Sequence, residues 1–163
     1  MRGVVTLDPL ILADGDELQR EVADLVELVA RQNAYLMRRL GPRRIPPLYQ
    51  SGVLYRLDPW NDAVAAQLSL QHFPNCLEVL HRRFADCKGL VPYKLAELRV
   101  REPQKHFSVR TYLRKASDGL DGVRLPGRTR IGAARAPAGD VLVHLQIQHP
   151  NGDVEDPSRL LHQ

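Results

Sequence analysis

The chain carries two thiols, Cys76 and Cys87, and six imidazoles, and the two thiols sit in different settings. In Phe84-Ala85-Asp86-Cys87-Lys88-Gly89-Leu90, Asp86 is a good helix N-cap, which puts Cys87 in the first turn of the helix that follows. Unpaired backbone N–H groups, the helix dipole and the charge of Lys88 favour a thiolate there, and the thiolate is the nucleophilic form of cysteine. Gly89 removes a side chain where a substrate backbone would approach. Cys87 is therefore expected to be the more reactive thiol. Cys76, inside Asn75-Cys76-Leu77-Glu78-Val79-Leu80, reads as a small buried apolar residue.

A thiol nucleophile needs a base, and strand periodicity selects one. Along Val141 to His149, one face carries Val141, Val143, Leu145 and Ile147. His144 lies on the other face with Leu142, Gln146 and Gln148, on a rigid strand facing a polar cleft. His149 ends the aliphatic face and is the weaker candidate. Pro150-Asn151-Gly152 reads as a type I turn followed by a left-handed bulge residue. That turn pairs His149 with Asp153, and so Gln146 with Asp156. Asp156 then projects on the face of His144, one diagonal step away. A two-residue Asn-Gly turn would shift the register by one and send Asp156 to the other face. The bulged register places Glu155 on the aliphatic side, which a short strand near an edge tolerates.

These groups are carried by a predicted α+β arrangement, helices first and then an antiparallel sheet. Apolar residues at helical spacing from Asp16 to Leu40 predict a long amphipathic helix ended by Gly41-Pro42. Gly41 to Gly52 reads as a proline-rich linker, and Val53 to Leu57 as a short strand. Short helices are expected over about 62–71 and 75–83, and a longer one from Cys87 to about Val100. Phe107 to Arg114 alternates as a half-buried strand. Residues 115–140, rich in Gly, Pro and Arg, read as a long mobile loop.

With 163 residues the chain fits one domain, 1–163. Hydrophobic residues make up 44% and charged residues 26%, a globular rather than a disordered profile. No apolar run is long enough to cross a membrane and no signal-peptide pattern follows Met1, so a cytoplasmic location, or a particle assembled there, is expected. Two cysteines cannot build a disulfide framework. The net charge of +4 is spread over scattered clusters such as Arg38-Arg39, Arg43-Arg44 and Arg82-Arg83, and neither requires nor specifies a nucleic-acid partner.

Asp86-Cys87-Lys88-Gly89-Leu90 followed by Ala96-Glu97-Leu98-Arg99, and then His144 with Pro150-Asn151-Gly152 and Glu155-Asp156-Pro157-Ser158-Arg159, resembles the short transglutaminase-like proteins common in tailed-phage genomes. Pro46-Pro47-Leu48-Tyr49-Gln50-Ser51-Gly52-Val53 with Tyr55-Arg56 is similar to the segment before the cysteine motif in that group. The resemblance spans residues 30–162 except for an enlarged loop over 115–140. Two departures stand out: Ala85 replaces a usual glycine, and Pro92 falls in the first turns of the nucleophile helix, where it is expected to kink the helix or delay its start.

The resemblance implies a papain-like fold with a triad of Cys87, His144 and Asp156, and an oxyanion donor from an upstream side chain, Gln50 or Trp60. The implied chemistry is attack of Cys87 on an amide carbonyl of a protein or peptide, with His144 moving the proton and Asp156 fixing its tautomer. The resulting thioester leads to cross-linking, deamidation or proteolysis, with no metal or organic cofactor and no membrane partner. Other phage structural proteins are possible partners. A catalytically silent virion or assembly protein of the same fold is the second reading. A zinc module built from His72, Cys76, His81 and Cys87 is a third, although this set lacks a second tight ligand pair.

Overall fold

A computed structural model of the chain describes residues 5–6, 15–56, 70–71, 73–115 and 141–161. Among these, the architecture is α+β. Helix α1 (Gly15–Leu40) is the long amphipathic helix that the spacing predicts. It ends where Gly41, at φ +75°, turns the chain while its N–H donates to the Met37 carbonyl. A 3-10 turn (Leu48–Gln50) follows, then strand β2 (Leu54–Tyr55). Helix α2 (Cys76–Arg82) is capped by Asn75, whose side-chain oxygen accepts from the Leu77 and Glu78 N–H groups. Strand β4 (Phe84–Ala85) leads into helix α3 (Cys87–Arg101). A three-stranded antiparallel sheet of β5 (Ser108–Lys115), β6 (Val141–Gln148) and β7 (Val154–Glu155) then precedes the short helix α4 (Pro157–Leu160).

The central element is α3. Every residue from Gly89 to Leu98 is buried, as expected of a helix enclosed on all sides rather than laid on a surface. One side packs Val91, Leu95 and Leu98 against Val22, Val26 and Ala30 of α1, against Phe107 just before β5, and against Leu145 and Ile147 of the sheet. The other side sends Leu90, Tyr93 and Ala96 into a second cluster with Leu48, Cys76 and Val79. Arg99 fixes the helix lengthwise: its guanidinium donates to both Glu27 oxygens of α1, at 2.6 and 2.8 Å, and to the Phe107 carbonyl at 2.7 Å.

Three expectations are corrected. Leu70–Gln71 is not the end of a helix but strand β3, antiparallel to β1 (Val5–Thr6). The rest of the 62–71 reading lies outside the described residues. Pro92 does not delay α3. The helix starts at Cys87 because Asp86 caps it and the Gly89 and Leu90 N–H groups both reach the Asp86 carbonyl. The Phe84–Ala85 strand, which pairs in parallel with β2, carries too few residues to show as a period in the sequence. The third correction is to the loop read over 115–140: Lys115 belongs to strand β5, opposite Val141, and residues 116–140 lie outside the described residues. No described helix is long and apolar enough to cross a membrane.

Gly89 also has another reason than substrate approach. A Cβ there would lie 2.8 Å from both the Ala85 Cβ and the Pro74 Cγ. The glycine lets α3 close onto β4 and the start of α2. Replacing glycine by alanine inside a helix normally gains up to about 1 kcal/mol. Here overpacking opposes that gain, typically by about 1–3 kcal/mol. Gly89→Ala is expected to lower stability in chemical denaturation, and an unchanged or raised midpoint would contradict this packing.

Candidate active site

Cys87 occupies the first position of α3 and is only 7% exposed. The cap that sets it there is Asp86, whose Oδ1 accepts from the Lys88 N–H at 3.0 Å. The Lys88 ammonium lies 2.9 Å from Asp86 Oδ2. Its positive charge is therefore shared with Asp86. An imidazole also faces Cys87.

That imidazole is His144, and the hairpin positions it. The Gly152 N–H donates to the His149 carbonyl at 2.9 Å, and the His149 N–H to the Asp153 carbonyl at 2.8 Å. Gly152 has φ +90°, the left-handed conformation that the bulge position requires. The register that follows pairs Gln148 with Val154 and Ile147 with Glu155, and so sets Asp156 against Gln146. His144 Nε2 donates to Asp156 Oδ2 at 2.8 Å, and Gln146 Nε2 donates to the same oxygen at 3.2 Å. The other carboxylate oxygen caps α4, accepting from the Ser158 and Arg159 N–H groups at 3.1 and 3.4 Å.

The ring of His144 is bonded to Asp156 through Nε2 and also faces the Cys87 side chain. The Asp156 hydrogen bond, reinforced by that to Cys87 and opposed by partial burial, pushes the imidazole up to about 10. For Asp156, burial pushes the carboxyl up, but the bonds from His144, Gln146 and the α4 backbone outweigh it and hold the group below its ordinary value. The structure brings Cys87, His144 and Asp156 together.

Of the two oxyanion candidates, Gln50 is exposed on the 3-10 turn and Trp60 lies outside the described residues. A phenol that sequence reasoning passed over sits nearer. Tyr55 pairs with Ala85 across β2 and β4, and its N–H donates to the Leu161 carbonyl just after α4. It therefore bridges the strand that leads to Cys87 and the helix that Asp156 caps. Burial first, and then its interactions with Cys87, Asp86 and Asp156, make its O–H much less acidic than an ordinary phenol, so it remains an O–H donor. Only strand pairing across 30 residues could have pointed to it, and a strand of two residues leaves no periodic trace.

Cys76 is fully buried, and burial pushes its thiol up to about 11. It takes no part in the cluster. No group of three or more His, Cys, Asp or Glu side chains is placed to hold a metal ion among the described residues, and His81 is exposed. His72 lies outside the described residues. An open groove of about 530 Å³ runs beside Asp156, lined also by His149, Glu155 and Arg159, but neither Cys87 nor His144 lines it. Comparison with protein-family models, with curated proteins and with solved structures finds no match to this chain.

The paired shifts define a pH window. His144 is raised from 6.5 to about 10, so the stability it contributes is fully present below 6.5 and is lost as pH rises through about 10. Asp156 is lowered from 3.8, so its contribution is present above 3.8 and is lost as pH falls through its lower folded value. Asp156→Asn is expected to destabilise most between these limits, and the difference from wild type should shrink on either side. A difference that is flat from pH 4 to pH 11 in denaturation series would exclude a charged pair.

Proposed function

We propose that this chain is a cysteine-dependent acyl transferase acting on protein or peptide amides, with the papain-like, transglutaminase-like arrangement that its motifs resemble. The observation that carries the proposal is the bridging of His144 between Asp156 and a thiol at a helix start. In the proposed reaction the Cys87 sulfur forms a bond to the amide carbonyl carbon, and the carbonyl electrons move onto oxygen. The Lys88, Gly89 and Leu90 N–H groups are taken by Asp86, so the backbone donor proposed for that charge is the N–H of Cys87 itself. Collapse of the adduct breaks the C–N bond while the His144 N–H gives its proton to the departing amine. A second amine or water then attacks the thioester and returns the thiol, giving cross-linking, or deamidation or cleavage. The chain's own groups supply each of these steps. A host cytoplasm or an assembling particle is the proposed setting, with other particle proteins as candidate substrates.

A silent structural role for the same fold is favoured by one feature, the burial of Cys87 at 7% exposure. Two measurements separate the readings. Iodoacetamide at pH 7, followed by peptide mapping, should label Cys87 far faster than Cys76, and His144→Ala should slow that labelling. Incorporation of a fluorescent primary amine into a glutamine-containing protein, ammonia release and peptide cleavage should report the transfer itself. His144→Ala is expected to reduce whichever activity is found by about 10²–10⁴-fold. Equal, slow labelling of both thiols in the folded protein would remove the enzymatic reading.

A further inference from the structure

Glu155 is a polar residue on an apolar face. It lies opposite Ile147, which is fully buried in the main core. A carboxylate turned towards an apolar face without partners is disfavoured, and this one, half-buried, has three, each from a different element. The Tyr49 hydroxyl of the 3-10 turn donates to Oε1. His149 Nε2, at the end of β6, donates to Oε2 at 2.8 Å. The Lys94 ammonium of α3 lies 4.0 Å from Oε1 and 4.6 Å above the Tyr49 ring.

The cluster is itself anchored. Lys94 is also 2.9 Å from Glu97 Oε1, and Glu97 Oε2 accepts the Leu48 N–H at 2.9 Å, at the start of the turn that carries Tyr49. His149 meets Phe107 edge to face, with ring centroids 5.4 Å apart.

Successive side chains of a strand point to opposite faces, so fixing Glu155 on one face fixes the direction of Asp156 on the other. The backbone alone does this weakly, since β7 has two residues and lies at the sheet edge. We infer that Glu155 is a positioning residue: its bonds to Tyr49, His149 and Lys94 hold the β7 register that presents Asp156 to His144. The inference takes its functional meaning from the triad reading, but its test does not depend on activity.

The readout is the midpoint of the His144 ring titration, followed by NMR on the full chain. The ring is faced by Asp156 from the α4 cap and by Cys87 from α3, with Gln146 sharing the Asp156 oxygen. In wild type the midpoint is expected near 10. Glu155→Ala should lower it by at least one pH unit, and Glu155→Gln, which keeps the hydrogen-bonding shape, should recover part of the loss. Tyr49→Phe removes a single hydroxyl and should shift it in the same direction by less, which decides the question if Glu155→Ala fails to fold. Glu27→Ala, which breaks the Arg99 clamp, should lower stability without moving His144. A His144 midpoint unchanged in folded Glu155→Ala, or in Tyr49→Phe where Glu155→Ala does not fold, overturns the inference. So does one that moves as far in Glu27→Ala. An inert Cys87 thiol would instead overturn the acyl-transfer reading and leave this result standing.

Discussion

Asp156 divides its two carboxylate oxygens between two tasks. One oxygen caps α4 and the other takes the His144 ring together with the Gln146 amide. Both tasks fail if the hairpin slips by one residue, because the period of two would carry the carboxylate through the sheet to the other face. The turn at Pro150-Asn151-Gly152 is therefore the constraint on which the rest of the site depends. Its geometry rests on a glycine at φ +90° and on two backbone hydrogen bonds. The cap adds a second hold, since α4 begins at Pro157, a residue suited to the first helical position.

The other half of the site is held by α3, whose enclosure makes its N-terminus a fixed point. Packing on both flanks leaves the helix little freedom to rotate, and the Arg99 clamp to Glu27 and the Phe107 carbonyl resists sliding. Enclosure also creates a difficulty, since Lys94 and Glu97 are 6% and 5% exposed. Removing one partner of such a buried pair typically destabilises by about 3–5 kcal/mol. Here the pair is not isolated: Glu97 bonds Lys94, Arg101 and the Leu48 N–H. The charges inside α3 thus tie the 3-10 turn and the hairpin to the helix that carries the thiol.

The parts of this arrangement legible in the sequence were those set by local rules. Helix α1 follows from its apolar spacing, the start of α3 from Asp86, and the faces of β6 from alternation. The register of β7 follows from turn chemistry. The parts that were not legible depend on contacts distant in the chain. Glu155 read as a defect of the register, because nothing local shows that Tyr49 and Lys94 converge on it. Gly89 read as room for a substrate, because its neighbours Ala85 and Pro74 meet it only once β4 and α2 are folded. Tyr55 was passed over because its pairing with Ala85 is two residues long. Lys88 read as support for the thiolate alone, whereas its ammonium also pairs with the cap residue Asp86.

The charge pattern at the site bears on how the proposed reaction begins. An imidazole held protonated up to about 10 is a poor acceptor for a proton leaving the thiol during attack at neutral pH. In the proposed reaction the ring therefore enters charged, suited to giving a proton to the departing amine rather than to taking one from the thiol. In that scheme Asp156 acts chiefly on the ground state, by holding charge on the ring and fixing Nε2 as the donor to its carboxylate. Its loss would then return the ring towards its ordinary value and change which form of the enzyme is present at neutral pH. The carboxylate that caps α4 is also the group that sets the charge state of the ring facing Cys87, so the fold and the proposed chemistry are coupled through one side chain.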